Sequence, residues 1–138
     1  MRTIVVSLVT AATLVLSGCA ILPDDRYDSN WILSSGKNSQ GPFVSGAEGA
    51  IRMTINAGQI SGQICNSWGG DISITDTSVL VSGIYSTEMW CTEPEGIMDR
   101  ETRFLNDLSR VTSIELVDGT LHLWGGPVDL EFVSDPTS

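Results

Sequence analysis

The stretch SIELVDGTLHLW, residues 113–124, decides how the chain folds. Asp118-Gly119 is a two-residue hairpin turn, favoured because both of its positions need positive φ. A turn of that length fixes the register: Leu116 opposes Leu121 and Ile114 opposes Leu123, with all four on one face. Glu115 opposes His122 on the other face, where a cross-strand ion pair is expected.

The same period of two runs outward from this hairpin. Ile51, Met53 and Ile55 alternate with Arg52, Thr54 and Asn56, and Ala57-Gly58 turns the chain into Ile60, Gly62 and Ile64. After Trp68-Gly69-Gly70 comes a strand over 71–75, and Asp76-Thr77-Ser78 turns into another from Val79 to about Trp90. Trp31-Ile32-Leu33 reads as a first strand and 34–49, rich in Gly, Ser and Asn, as a long loop. Pro127 opens a final strand in which Val128, Leu130 and Phe132 alternate with acids. Between Pro94 and Arg110 the period changes: Ile97, Met98, Phe104, Leu105 and Leu108 form a helical stripe. Thr92-x-x-Glu95 fits a capping box, Pro94 suits a first turn, and Gly96 moves nucleation towards Met98. The fold class is therefore α+β, a small antiparallel, curled, barrel-like meander with one amphipathic helix packed on it.

Composition narrows the chemistry. The 138 residues carry a net charge of −10 and are 41% hydrophobic, which suits one folded domain. No Lys/Arg cluster exists to neutralise phosphates, so nucleic acid is not an expected partner. One histidine and no Cys-x-x-Cys give no basis for a metal site, and no cofactor is expected. Ser35-Gly36-Lys37-Asn38 lacks the spacing of a phosphate-binding loop.

The N-terminus reads as an address. Met1-Arg2 is followed by an apolar run from Ile4 to Leu16, shorter than the about 20 residues of a bilayer crossing. It ends in Leu16-Ser17-Gly18-Cys19, which resembles the bacterial lipobox. Cys19 is then the lipidation site and the mature N-terminus; the rival reading is an ordinary secretory signal with Cys19 as a plain disulfide cysteine. Acyl chains there form a stable anchor, at about 0.8 kcal/mol per buried CH₂. Ala20 after the cysteine resembles the outer-membrane sorting pattern of a Gram-negative cell. In a Gram-positive cell the same chain would sit on the outer face of the plasma membrane. Either way the expected location is the bacterial cell envelope, outside the cytoplasm. Lipidation consumes one of three cysteines, leaving Cys65 and Cys91 as an even pair in an oxidising compartment. A disulfide closing that loop contributes roughly 3.5 kcal/mol on chain-entropy grounds. The rival readings are two buried free thiols or a reactive thiol.

Gly62-Gln63-Ile64-Cys65-Asn66 and Thr87-x-Met89-x-Cys91, followed by the helix and the short strands to Phe132, resemble the META domain. That is the HslJ-like group of bacterial heat-shock lipoproteins. With the N-terminal reading, the resemblance, which covers about Trp31 to Val133, divides the chain into a signal peptide (1–18), a lipid anchor and tether (19–29), a META-like domain (30–134) and a tail (135–138). It implies an envelope location and an association with heat shock and drug tolerance, but brings no biochemical activity. Glu88 stands where the family often has arginine, so a site built on that positive charge does not carry over.

Glu101 falls at the middle of the helical stripe. A carboxylate there is either hydrogen-bonded to the sheet or recognises a ligand inside an apolar cavity, because an unpaired buried charge costs several kcal/mol. With Asn66 and Trp68 it makes the candidate ligand-binding set. Asn66 reads as a turn or left-handed residue, and aromatic–sulfur packing would explain Trp68 and Trp90 beside the cysteines. Asp24, Asp25 and Asp28 read as solvated. His122 has no nucleophile elbow with it, so no catalytic residue is assigned and an enzyme is not expected. The function expected is a membrane-anchored, non-enzymatic binding or structural module, with a basic protein as candidate partner for an acidic surface. The alternative is a carrier of a small apolar ligand between helix and sheet.

Overall fold

The computed structural model describes residues 25–43 and 50–137. The stretch read as a signal, with Cys19 and Asp24, lies outside them. Nine strands run β1 (Ser29–Asn38), β2 (Gly41–Pro42), β3 (Arg52–Asn56), β4 (Gln59–Gln63), β5 (Ser67–Thr75), β6 (Ser78–Ser86), β7 (Ser113–Val117), β8 (Thr120–Gly125) and β9 (Val128–Ser134). Among the described residues one helix, α1 (Ile97–Leu108), interrupts them between β6 and β7. All pairings are antiparallel, and β1 pairs with both β3 and β9, which closes β1 and β3–β9 into an eight-stranded barrel. The seam between β6 and β7 is narrow. A single ladder pair, Ser78 with Ser113, is flanked by Val79 N–H to Thr112 O and Ile114 N–H to Thr77 O.

The hairpin holds the register its turn dictates: Ile114 pairs with Leu123, Glu115 with His122 and Leu116 with Leu121. Asp118 and Gly119 both have positive φ, 50° and 81°. Ile114, Leu121 and Leu123 are fully buried, whereas Leu116, near the hairpin tip, is partly open to solvent. His122 does not take Glu115 as its ion-pair partner. Its Nδ1 lies 3.7 Å from Glu131 Oε1, because β8 is flanked on both sides and β9 offers a second carboxylate opposite.

Several expected boundaries move. The first strand continues through residues assigned to a loop, reaching Asn38, because β9 pairs with it from Trp31 to Lys37. Gly36 belongs there because a Cβ would come 2.9 Å from Leu130 Cδ2. β5 begins at Ser67 rather than 71: the Tyr85 hydroxyl lies 2.6 Å from where a Gly69 Cβ would stand, so this glycine serves close packing. Conversely β6 ends at Ser86, short of Trp90. The capping box does not form. Gly96 occupies the N-cap in the left-handed conformation and no side chain caps the helix. The stretch read as a tether contains a 3-10 turn, Asp25–Tyr27, whose Tyr27 is only 1% exposed. The Trp31 indole N–H donates to the Tyr27 carbonyl at 3.0 Å. Asp28 is not merely solvated: its carboxylate accepts the Ala57 N–H at 2.9 Å.

α1 closes one end of the barrel. Phe104, fully buried, meets the rings of Phe43, Trp68 and Phe132 edge-on at 6.5, 5.7 and 6.4 Å. These aromatic contacts add to the area that each ring buries. Gly62 leaves room for Trp68, whose Cζ2 would lie 2.6 Å from a Cβ there.

The opposite end is fastened by the residues read as a tail. The Asp135 N–H donates to Asn30 O at 2.9 Å and Arg52 Nε donates to Asp135 Oδ2 at 2.8 Å. Hydrogen bonds from the Thr137 hydroxyl and N–H, then the Arg52 guanidinium, hold the Asp135 carboxyl below its ordinary value of 3.8. A depressed folded value means that the stabilisation is present above 3.8 and is lost as pH falls through the folded value. Asp135→Ala is therefore expected to lower the urea midpoint at pH 6, with the difference from wild type closing in strong acid.

Candidate functional site

At the end of the barrel covered by α1, three separate pieces of chain meet: the bend 64–66 between β4 and β5, the segment 87–91 after β6, and the helix. Cys65 and Cys91 form a disulfide, with Cα atoms 5.9 Å apart. Glu101 is 5% exposed and Asn66 is also buried. The Glu101 carboxylate accepts three N–H bonds from the bend. Cys65 N and Asn66 N donate to Oε2 at 3.0 and 2.6 Å, and Asn66 Nδ2 donates to Oε1 at 2.7 Å. A bend between two strands leaves its amides without ladder partners, and a buried unpaired amide costs about 1–3 kcal/mol. Glu101 supplies those acceptors from across the core.

Asn66 relays the arrangement to the third piece. Its Oδ1 accepts the Met89 N–H at 2.6 Å and the Thr87 hydroxyl at 3.0 Å. The Thr87 N–H donates to Ser67 O at 3.0 Å. The residues of Thr87-x-Met89-x-Cys91 thus each hold the segment: a hydroxyl, a backbone N–H and a disulfide. Asn66 is not left-handed, since positive φ among non-glycine residues is confined to Ala57, Asp76 and Asp118 in the described chain. Its side chain, with both donor and acceptor atoms, is what the bend requires.

Of the candidate ligand-binding set, Glu101, Asn66 and Trp68 all gather at this end and all are buried. Trp68 packs on Phe104, and its Nε1 has no hydrogen-bond partner among the described residues. Trp90 does not pack as expected beside the cysteines: it is 83% exposed, and Met89 is 52% exposed. A pinned backbone here carries side chains that face solvent.

A second cluster anchors α1 to the end of β1 and was not apparent in the sequence. Arg103 lies 4.1 Å over the Phe43 ring. It donates to Asn38 Oδ1 at 2.7 Å, to Pro42 O at 3.3 Å and to Gly41 O. Asn38 Nδ2 in turn donates to the buried Asp107 at 2.5 Å. Arg103 and Asp107 sit one helical turn apart at the margin of the apolar stripe, where charged residues ordinarily read as solvent-facing. Among the described residues no group of three or more His, Cys, Asp or Glu could hold a metal ion.

The sequence pattern of the META domain family matches residues 24–136. None of the curated proteins matches the sequence. The fold is similar to that of a Burkholderia xenovorans protein solved by NMR, with TM-score 0.65 and 20% identity over 91% of this chain and 99% of that one. A second NMR structure gives TM-score 0.60 and 17% identity over 83% of this chain and 95% of that one.

Removing the carboxylate leaves the Cys65 and Asn66 amides unpaired. Glu101→Ala is expected to cost about 3 kcal/mol of unfolding free energy, measured by urea denaturation with the disulfide intact. Glu101→Gln, which loses only the bond to Asn66 Nδ2, is expected to cost about 1 kcal/mol.

Proposed function

The chain belongs to the META-domain family, and we propose that this member is a lipid-anchored binding module of a bacterial cell envelope that meets its partner through the segment 87–91. The observation that carries this reading is Trp90, left in solvent on a backbone held by the Cys65–Cys91 disulfide and by the Met89 N–H bond to Asn66. An aromatic side chain on a pre-ordered loop binds with little further entropy loss, and tryptophan is enriched among residues that dominate interfaces.

Position in the barrel supports the same reading. Ser29 pairs with Ile55 beside the Ala57-Gly58 turn, whereas Ser86 pairs with Trp68 near the Gln63 end of β4. The start of the domain and the Trp90 segment therefore lie at opposite ends. A lipid on Cys19 would tether the first end to the membrane and direct the second away from it. Glu88, Glu93 and Glu95 surround Met89 and Trp90 in sequence and are exposed, which suits a basic protein with an apolar depression. A non-enzymatic role is favoured because Glu101 and the two cysteines of this end are engaged within the chain. The link to heat shock or drug tolerance rests on the family resemblance.

Two measurements test the proposal. Cell fractionation is expected to place the wild-type chain with membranes and Cys19→Ser in the soluble fraction. A photo-crosslinking residue at position 90 is expected to give a discrete protein adduct that the soluble wild-type domain competes away. The same residue at position 76, at the opposite end, should not give it. A membrane-bound Cys19→Ser chain, or equal adducts at both positions, would contradict it.

A further inference from the structure

The outer face of β7–β9 presents residues that the barrel does not use. Pairing across the three strands sets Glu115, His122 and Glu131 in one row and Ser113, Trp124 and Asp129 in the next. Trp124 thus has Asp129 directly opposite, with Glu115 and Glu131 on the diagonals. In an antiparallel sheet those positions are roughly 5 Å and 7–8 Å away. Three carboxylates are therefore arranged about one indole. Between them runs a groove of about 480 Å³, with Val117 and Trp124 as its apolar walls and Glu115 and Asp129 at its sides. Trp124 is 38% exposed within it.

The charges of this face are unevenly answered. Lys37 Nζ lies 3.5 Å from Asp129, and His122 and the Ser35 hydroxyl reach Glu131. The Glu115 carboxylate has no ion-pair or hydrogen-bond partner among the described residues.

We infer that this groove receives an arginine or lysine side chain from a basic segment of a partner protein. The cationic head would sit against Trp124 between Glu115 and Asp129, and its methylenes would point along the groove towards Val117. An indole face and a carboxylate attract the same group, and a long basic side chain matches an apolar channel that ends in acids. Charge selects the occupant. A second copy of a chain with net charge −10 would set carboxylates against carboxylates. Residues 20–24 and 44–49, the parts of the mature chain near the described domain, contain no lysine or arginine. The inference does not depend on the segment 87–91 being a binding loop.

The test is an NMR titration of the soluble domain with a blocked arginine tripeptide, set against the same peptide carrying citrulline, its neutral isostere. The arginine peptide should give saturable shifts at the Trp124 indole N–H and at the amides of His122 and Asp129, and the citrulline peptide should not. Trp124→Leu, which keeps an apolar wall, and Glu115→Gln should each weaken binding about three- to fivefold. Asp99→Asn, an exposed acid on α1 outside both surfaces, should leave it unchanged. Shifts spread over every acidic surface, equal response to citrulline, or unchanged affinity in both groove variants would overturn the inference. Because Glu115→Gln alters only an exposed side chain, its result stands even if Trp124→Leu folds poorly.

Discussion

The carboxylate of Glu101, set in the middle of an apolar helix face, is the contact on which this end of the molecule depends. A curled sheet must bend where β4 passes into β5, and the bend presents amides that no neighbouring strand can take. α1 brings a buried acceptor to them, with Oε2 bonded to two consecutive backbone N–H groups. Helix, bend and disulfide are thereby one arrangement. The helix is held in place by polar contacts to the bend as well as by Phe104 in the barrel mouth. The bend positions Asn66, and Asn66 positions Thr87 and Met89.

A buried charge is costly unless well paired, and here the pairing is made by neutral donors. That choice favours geometric definition, because a carboxylate accepting three N–H bonds has few alternative positions. The outcome is a segment, 87–91, fixed at Cys91 and at the Met89 N–H, yet presenting Met89 and Trp90 to solvent. The outer face of β7–β9 is unlike it: there Trp124 sits on regular sheet among carboxylates, and order comes from the ladder alone.

Local chemistry explains which parts of this could be read in advance. The 113–124 hairpin was legible because an Asp-Gly turn and two matched faces leave one register. Glu101 stood out because a charge interrupted a helical stripe. The length of β1 was hidden: Ser34 to Asn38 have no strand preference of their own, and their conformation is set by β9, remote in sequence. Trp68-Gly69-Gly70 concealed a strand for the converse reason, since glycine there makes room for Tyr85 and β6 rather than turning the chain. The roles of Asn38, Arg103 and Asp107 depend on where the helix lands on β1, which no local pattern contains.

Amide hydrogen exchange on wild type and Glu101→Ala tests the central dependence most directly. The Cys65, Asn66 and Met89 amides should lose protection by about 100-fold more than the Ile114–Leu123 hairpin amides, because the helix-bound bend opens before the barrel does. Equal loss across bend and hairpin, or unchanged protection at Met89, would contradict it.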